Sequence, residues 1–211
     1  MVDWNAKYKD APDGLFGAQP SQYLRAVLSR PDAAARRALM IADGDGRNSR
    51  WLARLGLHVV AQDLSTVAVE NARALDRLAG VSVERYVGSI EDGAPVPSAS
   101  VELAGVFYLQ APRSVRNAAV RAASEAVSSM GLVVIEGFAS SSPWPGISSR
   151  SLDDTLGLGP ATNDLRYDID ELLGWFEGFA VVEAFVGHVE LDEGARHQGL
   201  ARVVRVLMRK L

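Results

Sequence analysis

Two short stretches of this chain carry residue types that can do chemistry together. The first is Ala42-Asp43-Gly44-Asp45-Gly46-Arg47-Asn48, which lies between a short apolar run and a helical pattern. Glycines in such a turn let backbone approach a ligand closely, and the helix that follows offers unpaired N–H groups. The second is Asp63, at the end of the next apolar run. In an open α/β sheet the carboxyl ends of neighbouring strands face one ligand crevice, and a carboxylate there can accept both hydroxyl hydrogens of a ribose. Against these stand plainer readings: a tight strand-to-helix turn with no ligand, and a turn aspartate that merely precedes a helix.

Other chemistry-bearing residues are scattered. Trp4, Tyr8, Phe16 and Tyr108 can line a dry aromatic pocket suited to a cation, or can simply close the core. His197 stands in a polar stretch beside Arg196. As a pair they suit either proton acceptance or the holding of an anion, and an exposed turn histidine is the alternative. Arg36, Arg37, Arg47, Arg50 and Arg54 cluster in sequence, as solvated helix faces commonly do. The chain has no cysteine, which removes disulfides and thiolate chemistry. Its histidines, His58, His188 and His197, show no metal-ligand spacing, so no metal site is expected.

The elements that must position these residues follow from periodicity. Residues 1–36 form an aromatic-containing cap expected to pack on the core, with helical spacing over Ser21–Leu28. Arg37–Ala42 reads as a buried strand. A helix follows, with Trp51, Leu52 and Leu55 inward, Arg47, Arg50 and Arg54 outward, and Gly56 as its stop. His58–Ala61 is a second strand ending near Asp63, and Ser65 caps a helix running to Gly80. Val81–Tyr86 alternates as a third strand. Val101–Tyr108 and Gly131–Phe138 add two more, around a helix over Val115–Ser128. Loop follows from Ala139, then a short helix at Asp168–Phe176. Ala180–Val189 and Ala201–Arg209, separated by Glu190–Gly199, read as an antiparallel hairpin at the sheet edge. Strand and helix alternate, so the fold is α/β with parallel strands and right-handed crossovers, in a single domain spanning residues 1–211.

Composition fits an ordinary globular protein, at 211 residues, 48% hydrophobic and 23% charged. A net charge of −4 argues against a nucleic-acid partner, which needs a basic surface to displace counterions. The N-terminus lacks an apolar signal core and no apolar run approaches a membrane span, so a cytoplasmic protein is expected. A small-molecule substrate is the expected partner, with oligomeric state left open.

The glycine turn and Asp63 fit either a nicotinamide dinucleotide or S-adenosylmethionine. Gly44-x-Gly46-x-x-Ser49 approaches the dinucleotide fingerprint, with Ser where Gly or Ala belongs. The C-terminal antiparallel pair favours the second ligand. Ala42 to Ala53, with Gly56 and Val59–Ser65, resembles motif I and the second strand of class I S-adenosylmethionine-dependent methyltransferases. The Gly-Arg-Asn-Ser extension is similar to the tellurite-resistance (thiopurine-methyltransferase-like) branch. Trp4…Tyr8…Phe16-Gly17…Pro20 and Glu193-Gly194…His197-Gln-Gly199 resemble its terminal segments.

That resemblance implies a Rossmann-like sandwich with a mostly parallel seven-stranded sheet, and methyl transfer to a small acceptor, a thiol or chalcogen oxyanion among the candidates. Residues Asp43, Gly44, Asp45, Gly46 and Arg47 would lie against the methionine moiety and ribose. Asp63 would hold the ribose hydroxyls, with Leu64 on adenine and Ser89 and Ile90 flanking it. Phe107 and Tyr108 would face the methionine end and the acceptor. Tyr8, Phe16 and Arg196 would border the substrate, and His197 and Tyr108 would serve the reaction. Three positions depart from the family pattern. Met40 replaces an acidic residue, Ala42 a glycine (acceptable where φ stays negative), and Ser89 the aspartate that binds the adenine amino group, a task open to Ser89, Glu91 or Asp92. With those departures, a non-catalytic S-adenosylmethionine binder and an NAD(P)-dependent oxidoreductase are the alternative readings.

Overall fold

In the chain, apolar runs long enough for one sheet layer alternate with amphipathic helices, and the computed structural model arranges them so. It describes residues 3–140, 163–194 and 197–211; Arg196 lies outside the described residues, as does the Ser/Pro-rich stretch around 140–146 beyond Ser140. The strands are β1 (Arg37–Ile41), β2 (His58–Asp63), β3 (Glu84–Val87), β4 (Val101–Phe107), β5 (Val127–Phe138), β6 (Phe179–Asp192) and β7 (Gln198–Lys210). They form one seven-stranded sheet in the order β3-β2-β1-β4-β5-β7-β6. The first five are parallel, while β7 runs antiparallel to both β5 and β6. This is the mostly parallel α/β sheet with a C-terminal hairpin that the sequence implies. Between β1 and β4 the strand order reverses, which opens the crevice where such sheets bind ligands.

Helices cover both faces: α1 (Trp4–Lys9), α2 (Gln22–Leu28), α3 (Arg47–Arg54), α4 (Thr66–Ala79), α5 (Arg113–Ala126) and α6 (Ile169–Leu173). Alternation along β1 divides the core. Leu39 and Ile41 join Ala119 and Ala123 of α5 and Leu172 of α6 on one face. Ala38 and Met40 join Leu24 of α2 and Leu52 of α3 on the other.

Several boundaries differ from expectation. The six-residue helix α1 has no apolar periodicity to announce it; it is capped by Asp3, whose side chain accepts from Ala6 N at 3.0 Å. β5 begins at Val127, taking Val127 and Ser128 from the expected helix, because the chain leaves α5 in extended conformation at Val127. β3 starts at Glu84 rather than Val81. β4 stops before Tyr108, whose φ of +53° breaks the strand. Helix α3 presents its sides differently from the pattern reading. Arg47 and Arg50 are buried by ion pairing, whereas Leu55 is exposed. Among the described residues no helix is long and apolar enough to cross a membrane.

Candidate active site

The carboxyl ends of β1, β2, β3 and β4 surround a cavity of about 780 Å³. It brings together Asp43, Gly44, Asp45 and Arg47 from the first loop and α3, Asp63 and Leu64 after β2, and Ser89 and Ile90 after β3. Phe107 and Tyr108 come from the end of β4, Tyr8 and Phe16 from the N-terminal segment, and His197 from the final hairpin. Of the described residues assigned from sequence to cofactor or substrate, Gly46 does not line it, nor does Asp92, offered as an alternative adenine contact. A Cβ on Gly46 would lie 2.2 Å from Arg85 Nη2, so its missing side chain makes room for that guanidinium. A Cβ on Gly44 would meet the Tyr8 hydroxyl at 2.3 Å. Both glycines have positive φ, so turn geometry and close packing each require them.

Asp63 ties the glycine turn to the start of α4 at one end of the cavity. Its Oδ2 accepts from Gly44 N and its Oδ1 from Ser65 N, both at 2.8 Å. Each oxygen keeps a further lone pair for a ribose hydroxyl. Burial pushes the Asp63 pKa up to about 6; the two backbone N–H bonds oppose this, and Asp43 and Asp45 add to it.

The two loop aspartates serve the scaffold. Arg85 Nη1 donates to Asp43 Oδ2 at 3.0 Å, and the Ser49 hydroxyl donates to the same oxygen. Arg85 and Arg50 share Asp76 behind it, at 2.6 and 3.1 Å. Asp45 Oδ2 accepts from Leu15 N at 2.6 Å and so fastens the N-terminal segment to the loop. Met40 is buried in the core, with its thioether and the Phe107 ring beside Gly105. Ala42 has φ +52°, so the condition under which alanine sits there without strain is not met.

At the opposite end, His197 is 1% exposed, which overturns the exposed-turn reading. Its ring packs 4.2 Å from Tyr108 and 4.8 Å from Phe16, and meets Phe138 edge-on at 5.8 Å. Arg47 Nη2 lies 3.1 Å from His197 Nδ1 and donates to Glu193 Oε2 at 2.9 Å. Arg47 Nη1 donates to Gln19 O and Glu193 O. Glu193 also accepts from Gln22 N at 2.8 Å, and Ser21 donates to Glu136 at 2.6 Å. The roof over this end is therefore one buried polar network joining α2, α3, β5 and the hairpin. Tyr108 Oη and His197 Nε2 are buried in it without a partner among the described residues. Burial holds the Tyr108 phenol well above its ordinary range and lowers His197.

Sequence reasoning missed Gln62, Arg85 and Glu193. Gln62 carried a usable signal, a lone amide at the end of an otherwise apolar strand.

Comparison with known proteins fits this geometry. Residues 38–131, which span β1 to the start of β5, match the family model described as Methyltransferase domain. Over this stretch the chain is similar to methyltransferase domains. No curated protein matches the chain. Among solved structures, one from work on the conversion of a disulfide bond into a thioacetal group during echinomycin biosynthesis is 16% identical, with TM-score 0.73 over 98% of this chain and 90% of its own. TehB from Haemophilus influenzae is 13% identical, with TM-score 0.68 over 89% of this chain and 61% of its own. A SAM-dependent methyltransferase from Methanosarcina mazei is 16% identical, with TM-score 0.67 over 92% and 99%. At these identities the likeness is one of fold.

The charges around the cavity suit a cationic ligand. Asp45, Asp63 and Glu91 line it, Asp43 is paired with Arg85, and the one lining arginine among the described residues, Arg47, is engaged by Glu193. A cationic sulfonium is attracted there, and the pyrophosphate of a dinucleotide is repelled.

Proposed function

We propose that this protein transfers the S-adenosylmethionine methyl group to a small soft nucleophile, a thiol or a chalcogen oxyanion, in the manner of the tellurite-resistance and thiopurine-methyltransferase-like branch. The observation that carries this reading is the acidic lining of the cofactor end with Arg47 already paired, which disfavours the oxidoreductase alternative. The N-terminal cap of residues 1–36 and the rest of the chain act as one domain, and the protein works in the cytoplasm with no nucleic-acid or membrane partner.

When bound, the cofactor supplies an electrophilic methyl group, and its transfer needs alignment more than acid–base machinery. Asp63 holds the ribose hydroxyls. The loop from Asp43 to Gly46, with Arg47 behind it, shapes the methionine end. Leu64 and Ile90 enclose adenine, with Ser89 beside it. Phe107, Tyr108, Tyr8 and Phe16 exclude water and present π-faces to the cation. His197 and Tyr108 lie at the acceptor end. With the guanidinium as the shorter contact of Nδ1, His197 offers Nε2–H there rather than a lone pair, so an acceptor that needs deprotonation arrives already deprotonated, as a thiolate does. The fold likeness to a protein from work on converting a disulfide bond into a thioacetal group is consistent with a sulfur acceptor.

The test is product detection. The protein is incubated with S-adenosylmethionine and a panel of thiols, selenite, tellurite and amines. Formation of S-adenosylhomocysteine with thiols or chalcogen oxyanions and not with amines is expected. Binding of the cofactor with no S-adenosylhomocysteine from any acceptor would instead support the non-catalytic binder.

A further inference from the structure

The family's usual acceptor for the adenine amino group is missing from this chain, and the structure offers a different one. Ser89 stands where the aspartate would be, but its hydroxyl oxygen accepts from Glu91 N at 3.2 Å and caps the single 3-10 turn Ile90–Asp92. Glu91 and Asp92 are exposed, so their carboxylates stand in water and select weakly for a buried amine.

Gln62 has the opposite properties. It is 5% exposed, closes the apolar strand β2 and lines the cavity beside Gly88, Ser89 and Ile90. Its amide orientation is fixed by its neighbours. The carbonyl oxygens of Ser89 and Gly93, at 3.1 and 3.4 Å, can only accept, so the NH2 group belongs to them. That leaves Oε1 buried and without a hydrogen-bond partner among the described residues. A buried amide oxygen in this state costs free energy unless an N–H or O–H donor meets it. Asp63, the next residue, turns its carboxylate to Gly44 and Ser65, so ribose hydroxyls belong to Asp63. Gln62 is bonded instead to the β3–β4 connection, the side where Ile90 borders the adenine position.

We infer that Gln62 Oε1 accepts a hydrogen bond from the exocyclic 6-amino group of the cofactor's adenine and makes the site selective for a 6-amino over a 6-oxo purine. This rests on the cofactor reading given above. With a 6-oxo purine two acceptors face each other, and a buried group left unpaired is the feature by which protein sites reject near-isosteric ligands most strongly.

The experiment compares S-adenosylhomocysteine with its deaminated analogue, S-inosylhomocysteine, by calorimetric titration of the wild-type chain, Gln62→Leu and Gln62→Asn. Wild type is expected to bind the inosyl compound at least about tenfold more weakly, the loss that one unpaired buried acceptor brings. In Gln62→Leu the gap should shrink to less than about threefold. Gln62→Asn, which keeps the amide but withdraws the oxygen by one methylene, should fall between and serves if the leucine variant does not fold. Equal binding of the two compounds by wild type overturns the role of Gln62 while leaving the cofactor reading intact. A ratio preserved in the variants also overturns it, since that marks Gln62 as structural only. If wild type binds neither compound, the cofactor reading fails and this inference fails with it.

Discussion

Arg47 Nη2 lies 3.1 Å from His197 Nδ1 and Glu193 Oε2 lies 3.5 Å from the same nitrogen; a guanidinium only donates, so the shorter contact favours the imidazole lone pair on Nδ1 and the proton on Nε2. A histidine held this way is a hydrogen-bond donor toward the acceptor pocket, not a general base. Burial among Phe16, Tyr108 and Phe138 favours the neutral ring and lowers its pKa. In the unfolded chain the ring takes up a proton near its ordinary value. The stability contribution of neutral His197 is therefore present above about pH 6.5 and is lost as pH falls below it.

The tautomer is directly observable. Nitrogen-15 correlation spectra of the imidazoles, with His197→Gln for assignment, should show His197 protonated at Nε2 and titrating below the ordinary histidine range. A midpoint near 6.5, or a proton on Nδ1, would restore the general-base role.

Asp63 gives ligand binding its own pH dependence. Its carboxyl is pushed up to about 6 in the free protein, while a cationic ligand donating two hydroxyl hydrogens stabilises the ionised form. The complex then holds fewer protons than its parts near pH 6, so affinity for S-adenosylmethionine should rise between pH 5 and 7 and level off above. Calorimetry in buffers of different ionisation enthalpy should show proton release at pH 6. Asp63→Asn should bind at least about tenfold more weakly and with no such slope. A slope unchanged in Asp63→Asn would assign it to another group.

Ala42 carries a correctable strain. A non-glycine residue at φ +52° costs roughly 1–2 kcal/mol, and glycine's greater unfolded-state freedom offsets about 0.5–1 kcal/mol of that. Ala42→Gly should therefore raise stability by about 0.5–1 kcal/mol, a Tm gain of roughly 1–4 °C for a chain of this length. Thermal denaturation followed by circular dichroism checks it, and a lower Tm would contradict the assigned backbone conformation.

The roof of the acceptor pocket rests on a backbone crossing. A Cβ on Gly194 would lie 2.1 Å from Phe16 O, a clash with backbone rather than with a side chain that can swing away. Gly194→Ala should cost on the order of 2–3 kcal/mol and lift Phe16 from His197. Chemical denaturation gives the energy, and faster proteolysis within residues 1–36 reports the detachment. An unaltered denaturation midpoint would show that the two segments do not touch.

The sequence was most legible where interactions are local. The β1 turn, the Ser65 cap and the Asp63 position follow from neighbours within a few residues, and the structure has them as read. Arg47 and Arg50 were misplaced onto a solvated face because their partners are distant: Glu193 lies 146 positions from Arg47, and Asp76 lies 26 from Arg50. His197 was legible as a candidate but not as a buried one, since its cage draws Phe16, Tyr108 and Phe138 from three separate segments. Helix α1 is too short for periodicity to reveal.

The cofactor assignment is tested most directly by titrating the chain with S-adenosylmethionine and, separately, with NAD in a calorimeter. Saturable one-to-one binding of S-adenosylmethionine, with no heat from NAD, is the expected result. Binding of NAD with no heat from S-adenosylmethionine at any concentration up to millimolar would contradict it.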